Sequence, residues 1–184
     1  MDIKKFFYAQ SVIYSLARGI IVLILTLVLI HFFIFTIHIV QGQSMEPNFN
    51  SGEIIITNKL SYYIENPKRG DVVVLRFPGD PEKVKYIKRI IGLPGETLEI
   101  KNSDIYINDK KLIESYIPQN YFTFPDMKTQ IGKDEYFIIG DNRPNSSDSR
   151  MWGTARTNDL IGKGFFIILP TSNFGSIPQV YYNI

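Results

Sequence analysis

From Gly19 to Val40 the chain carries a lone run without Asp, Glu, Lys or Arg. A helix over it would span about 33 Å, against a hydrocarbon core of about 30 Å. The run therefore reads as a membrane span and removes itself from any soluble core. A cleavable signal peptide is the other reading. Against it, the run exceeds the roughly 7–15 apolar residues of such a peptide, and no small-x-small site closes it. Lys4, Lys5 and Arg18 flank its start, and the first cation after it is Lys59. An excess of positive charge marks the cytoplasmic side of a span. The expectation is a single-pass protein of the cytoplasmic membrane. Residues 1–18 would lie in the cytoplasm, 19–40 in the bilayer, and 41–184 outside. His31 and His38 fall inside the run and read as a tolerated imidazole and an interfacial one.

Residues 41–184 are enough for one sizeable core, near the commonest domain size of about 100–150 residues. Setting aside Lys4, Lys5, Arg18 and Asp2, the chain's 20 basic and 18 acidic residues balance. A neutral ectodomain lacks the basic footprint of nucleic-acid binding, so no nucleic-acid partner is expected. The chain has no cysteine, which excludes thiol catalysis, zinc thiolates and disulfides. Both of its histidines lie in the apolar run, so a histidine-based triad outside the membrane is excluded. A nucleophilic serine would need another base. The acidic residues show no metal-ligand spacing, and no metal or cofactor is expected.

The ectodomain alternates short apolar runs with turn signals, which reads as mainly β, compact and barrel-like or built from a folded sheet. Strands are expected at Glu53–Asn58, Asp71–Phe77, Lys83–Ile91, Glu135–Ile139 and Ile161–Leu169, with a hairpin from Thr97–Ile100 and Asp104–Ile107. Asn108-Asp109 reads as a turn into Lys111–Ile113. Residues 116–132 mix aromatics, prolines and polar groups and read as an irregular insertion or cap.

Three places could carry chemistry. Ser44 stands just past the apolar run in QSMEPN (Gln43 to Asn48). Gly42 frees the backbone before it, Pro47 stiffens the backbone after it, and Met45 offers a flexible apolar surface beside it. Read blandly, the segment is a turn; read functionally, it is an exposed hydroxyl beside an apolar slot. Lys88 lies in YIKRIIGLPGE (Tyr86 to Glu96), where alternation places Tyr86, Lys88 and Ile90 on one face and Ile87, Arg89 and Ile91 on the other. One of the two cations is expected inside. Burial disfavours an ammonium and can make a lysine a base, whereas a guanidinium stays charged. The alternative is that both cations are solvated at a sheet edge. GDNRPNSSDSR (Gly140 to Arg150) is an ordinary polar loop on one reading. On the other, Ser146 hydrogen-bonds at the lysine while Asp148 and Arg150 brace the loop.

Four blocks, QGQSMEPN, KRGDVVVLRF, YIKRIIGLPGE and GDNRPNSSDSR, stand in the order found in bacterial type I signal peptidases, and the chain resembles that family over the anchor and nearly the whole ectodomain. The resemblance implies the signal-peptidase fold and a membrane-bound serine endopeptidase with a Ser/Lys dyad. Ser44 would be the nucleophile and Lys88 the general base. Ser146 would orient the lysine amine, and Asp141, Asp148 and Arg150 would be supporting polar residues. The substrates would be the signal peptides of exported preproteins, bound as an extended strand along Lys85, Tyr86 and Ile87, with small residues at −1 and −3. The bilayer is then a partner, and the secretion machinery a further one. One departure stands at Gly42, where some members carry a serine that helps the oxyanion hole. Two rivals remain: a self-cleaving Ser/Lys repressor, whose DNA-binding domain would have to stand where the anchor does, and an anchored binding or assembly protein without turnover.

Overall fold

The computed structural model describes residues 3–79, 81–82 and 84–184. Helix α1 (Ile3–Phe33) opens the chain, and its Gln10–His31 portion is long and apolar enough to cross a membrane. Arg18 lies within that portion, where its aliphatic stem allows the guanidinium to reach towards the interface. The uncharged run does not stay helical to Val40. Phe35–Ile39 forms a strand, β1, paired antiparallel with β2 (Ile54–Asn58) from Phe35↔Asn58 to Ile39↔Ile54. The backbone bonds of residues 35–39 are therefore supplied by a neighbouring strand. The apolar, β-branched sequence Ile34–Val40 suits that pleated setting as well as it suits lipid. His38 is thus a strand residue beyond the helix.

After the one-turn helix α2 (Ser61–Ile64), the chain lays down β3 (Val72–Arg76), β4 (Lys85–Gly92), β5 (Thr97–Lys101), β6 (Asp104–Ile107), the short β7 (Lys110–Lys111), β8 (Met127–Gln130) and β9 (Glu135–Ile139). The one-turn helix α3 (Ser149–Trp152), β10 (Ala155–Arg156), β11 (Leu160–Leu169) and β12 (Gly175–Ser176) complete the order. Two antiparallel sheets result. The larger runs β1-β2-β11-β3-β4-β9-β10, with β12 on β11; the smaller runs β7-β6-β5-β8. The fold is mainly β, as read from the sequence, but as two sheets. The expected strands fall within one or two residues of those observed, apart from Lys83, which lies outside the described residues. Residues 116–132 are not a separate cap: β8 lies within them and pairs with β5 from Thr97↔Gln130 to Ile100↔Met127.

Strand β4 organises the site. Along Arg76–Val72 its partner is β3, with Val73 opposite Lys88 and Val72 opposite Arg89. On its other edge β9 pairs only from Arg89 onward. Lys85–Lys88 therefore keep one edge of the ladder open among the described residues. The two faces of β4 are covered by different apolar clusters. Ile90 packs with Val73, Leu75 and Ile138, while Ile91 packs with Leu98, Ile107 and Phe137. This burial on both sides explains why Lys88 and Arg89 are both interior, while Lys85 at the start of the strand is exposed.

Candidate active site

Ser44 sits in a turn stapled to the core. Met45 and Phe49 are buried with Val40, Ile55 and Val74, and the Phe49 amide donates to the Met45 carbonyl at 2.9 Å. Gly42 before it has φ +82°, a left-handed conformation that L side chains adopt at a cost. Met45 is 1% exposed, so it floors the cleft from within the core and is not the open apolar surface its sequence context suggested.

Lys88 Nζ stands 2.5 Å from Ser44 Oγ and, as an ammonium, donates to it. With the amine neutral the same contact runs the other way, the hydroxyl donating to the nitrogen lone pair. Lys88 is 3% exposed, and its Nζ also lies over the Tyr86 ring, 5.1 Å from the centroid. Burial pushes its pKa down to about 8, against the weaker raising effects of the Asp148 and Asp141 carboxylates. An amine with that ionisation, against a serine hydroxyl, is the pairing that amine-assisted acyl transfer requires.

Arg89, next in the strand, is also buried, contrary to the expectation of one inward cation. Its guanidinium donates from Nε and Nη2 to the two oxygens of Asp141, at 2.8 and 2.6 Å, and stacks 4.4 Å from the Tyr116 ring centroid. Asp141 also accepts from Asn48 Nδ2 at 3.0 Å. It therefore ties the Ser44 turn to β4, a more specific task than general support. A second buried pair, Arg143 with Glu114 at 2.6 Å, lies beside Tyr116, whose hydroxyl accepts from Arg143 at 3.4 Å. The segment from residue 114 to Thr123 thus backs the site.

The loop after β9 closes the arrangement. Asp148 caps α3, accepts from the Gly140 amide at 3.0 Å, and pairs with Arg150 at 2.8 Å, so these two residues tie the loop together. Gly140 has no room for a Cβ, which would meet the Ser44 carbonyl and the Ser146 side chain. Asn142, which sequence reasoning left aside within GDNRPN, clamps the Ser44 turn directly. Its amide donates to the Ser44 carbonyl and its Nδ2 to the Gln43 carbonyl, both at 3.0 Å. Ser146 makes no hydrogen bond to the lysine here. Its Oγ is buried without a hydrogen-bond partner, and the amine of Lys88 turns to Ser44 instead.

Ser44 and Lys88 open into a cleft of about 690 Å³. One wall is residues 37–44 and the other residues 84–88, so Lys85, Tyr86 and Ile87 line it as anticipated. His38, hidden in the apolar run of the sequence, lines it too. The cleft runs between the outer edge of β1 and the open edge of β4, two edges able to accept an extended chain. Among the described residues the Ser44 amide enters no backbone hydrogen bond.

The chain is a mainly β domain behind an apolar helix, with a serine hydroxyl against a buried amine in a strand-lined cleft. The family model for signal peptidase, peptidase S26, matches residues 13–169, and the chain belongs to that family. It is 39% identical over 163 residues to signal peptidase I of Bacillus amyloliquefaciens, covering 83% of each chain. It is 36% identical over 171 residues to signal peptidase I P of Bacillus subtilis subsp. natto, covering 88% of this chain and 91% of that one. A crystal structure of a signal peptidase I from Enterococcus faecalis V583 matches 54% of this chain and 97% of its own, at 30% identity and a TM-score of 0.48.

Proposed function

We propose that the chain is a membrane-anchored serine endopeptidase that removes signal peptides from exported preproteins with a Ser44/Lys88 dyad. The observation that carries this is the 2.5 Å approach of Lys88 Nζ to Ser44 Oγ inside the cleft of a family member. Substrate adds as an extended strand between residues 37–43 and 84–88, so main-chain bonds hold it while side chains enter alternate pockets. Small −1 and −3 residues fit where Met45 and Ile87 floor the cleft.

Neutral Lys88 takes the Ser44 proton as Oγ attacks the carbonyl of the −1 residue. The Ser44 amide donates to the developing oxyanion, a contribution of about 2.7–4 kcal/mol per donor in other enzymes. Gly42 supplies no hydroxyl there. The new amine leaves with the proton held by Lys88, and water, deprotonated by the same amine, hydrolyses the acyl-enzyme. Asn142 and the Arg89–Asp141 pair hold the turn and the strand in register. Ser146, whose Oγ has no hydrogen-bond partner, would orient the amine once Ser44 is acylated.

The test is cleavage of a preprotein by the purified full chain in detergent. Cutting after a small −1 residue is expected, with loss of cutting when that residue is made bulky. A chain that binds the preprotein but never cuts it would favour the binding-protein reading. The proposed orientation puts residues 41–184 outside the cytoplasmic membrane, on the strength of Lys4 and Lys5 before the span and Arg18 in its N-terminal half. Protease added to intact spheroplasts should digest that part; digestion only after lysis would reverse the topology.

A further inference from the structure

A second cleft, of about 470 Å³, adjoins the first, and His38 and Lys85 line both. Lys59, Arg76 and Lys85 converge on it with Tyr62, Thr157 and Asn158, and none of the described lining residues is acidic. Two acids near the cleft have partners of their own. Asp159 accepts from the Arg156 amide at 2.8 Å, and Asp71 pairs with Lys163 at 2.6 Å and also accepts from the Tyr62 hydroxyl at 3.4 Å. Arg76 Nη1 reaches the Asn158 carbonyl at 3.5 Å, which holds the guanidinium near the cleft. His38 senses the resulting field. Burial, and then the charges of Lys85 and Lys59, push its pKa down to about 4, so it stays neutral beside them.

The position of this cleft is as informative as its charge. The Lys59 amide donates to the Ile34 carbonyl at 2.8 Å, one residue beyond the end of α1, and Thr36 lies in the wall. The cations thus gather where the apolar helix gives way to the sheet. On α2, beside Tyr62 and Lys59, Tyr63 is 86% exposed and Ile64 79% exposed. Exposed aromatic and aliphatic groups beside cations are the composition of a membrane–water interface.

We propose that this pocket binds the phosphate of an anionic glycerophospholipid headgroup through Lys59, Arg76 and Lys85, with Tyr63 and Ile64 lying at the acyl boundary. The proposal rests on the reading of α1 as a membrane anchor and is independent of the chemistry at Ser44. Because Lys85 and His38 belong to both clefts, a bound headgroup fixes the depth of the peptide cleft at the bilayer surface.

The test uses the full chain in a neutral detergent, titrated with short-chain phosphatidylglycerol, with hydrogen exchange followed at residues 59–64 and 157–161. Protection is expected with phosphatidylglycerol and not with phosphatidylcholine or inorganic phosphate at the same concentrations. The double substitution Lys59→Gln with Arg76→Gln should raise the half-protecting concentration about 30-fold, the loss expected for two cations at an anionic surface. Lys59→Arg with Arg76→Lys should retain protection, which separates lost charge from lost folding. Equal protection by phosphatidylcholine, equal protection by inorganic phosphate, or an unchanged titration in the glutamine pair would each overturn the proposal. Flotation with phosphatidylcholine vesicles checks the anchor separately. A chain that does not float overturns the anchor and the proposal together; one that floats but fails the phosphatidylglycerol titration overturns the headgroup site alone.

Discussion

Ser44→Ala and Lys88→Ala are each expected to lower preprotein cleavage at least about 100-fold, a loss of roughly 2.7 kcal/mol or more of transition-state stabilisation. The reason is elimination as well as geometry. The chain has no cysteine, and of its two histidines only His38 lines the cleft, held neutral with its Nε2 buried and unpartnered. Lys88 Nζ is the amine in contact with Ser44 Oγ. Two residues that act as a unit are non-additive, so the double variant should be no worse than the poorer single one. Rates should be read from single-turnover cleavage, with circular dichroism to show that each variant is folded. Retention of more than about a hundredth of the wild-type rate by Lys88→Ala would remove Lys88 from the role of base.

The second large effect is on stability. Asp141→Ala leaves Arg89 charged, 3% exposed in its side chain and stripped of its bidentate partner. It also frees Asn48 Nδ2 of one acceptor. Breaking a buried pair from one side costs about 3–5 kcal/mol. The melting temperature should fall on the order of 10 °C. Replacing both partners, Arg89→Met with Asp141→Leu, should cost less than Asp141→Ala alone, because no buried charge is then orphaned. A single substitution that melts within about 2 °C of wild type would mean the pair is solvated in solution.

Much of this protein could be read from local signals. The hairpin of β5 and β6 is legible because its partners are adjacent in the chain, and Glu135–Ile139 because it is a short apolar run before Gly140. Ser44 and Lys88 stand out because the chain has no cysteine and both histidines fall in the apolar run of the sequence, although His38 proves to line the cleft. What escaped was set by distant partners. Phe35–Ile39 is an apolar continuation of the helix in sequence, and only pairing with Ile54–Asn58 makes it a strand. Alternation allowed only one of Lys88 and Arg89 inside, and Arg89 is also buried because its partner Asp141 comes from 52 residues away. Asn142 is one polar residue in a polar loop until its bonds to Gln43 and Ser44 are seen. Residues 127–130 hold no apolar alternation strong enough to mark β8, which exists because β5 offers an edge.

Lys88 also links activity to stability. An ammonium with an ordinary pKa of 10.5 that drops to about 8 on folding is a charge the fold disfavours. Between about pH 8 and pH 10.5 the unfolded chain binds the extra proton, so stability rises with pH across that window. Below it the cost is fully present, about 3 kcal/mol as an order of magnitude; above it the cost is gone. Lys88→Met keeps most of the stem's volume without the charge. It should be inactive yet at least as stable at neutral pH, with the difference closing towards pH 10.5.

The most direct measurement is kcat/KM for preprotein cleavage from pH 6 to about 10, a window that brackets the ordinary and the shifted lysine. The account predicts a tenfold rise per pH unit at the acid end, levelling off with an apparent pKa of about 8. A rate that is flat through that range, or that falls as Lys88 loses its proton, would contradict a neutral Lys88 acting as the base for Ser44.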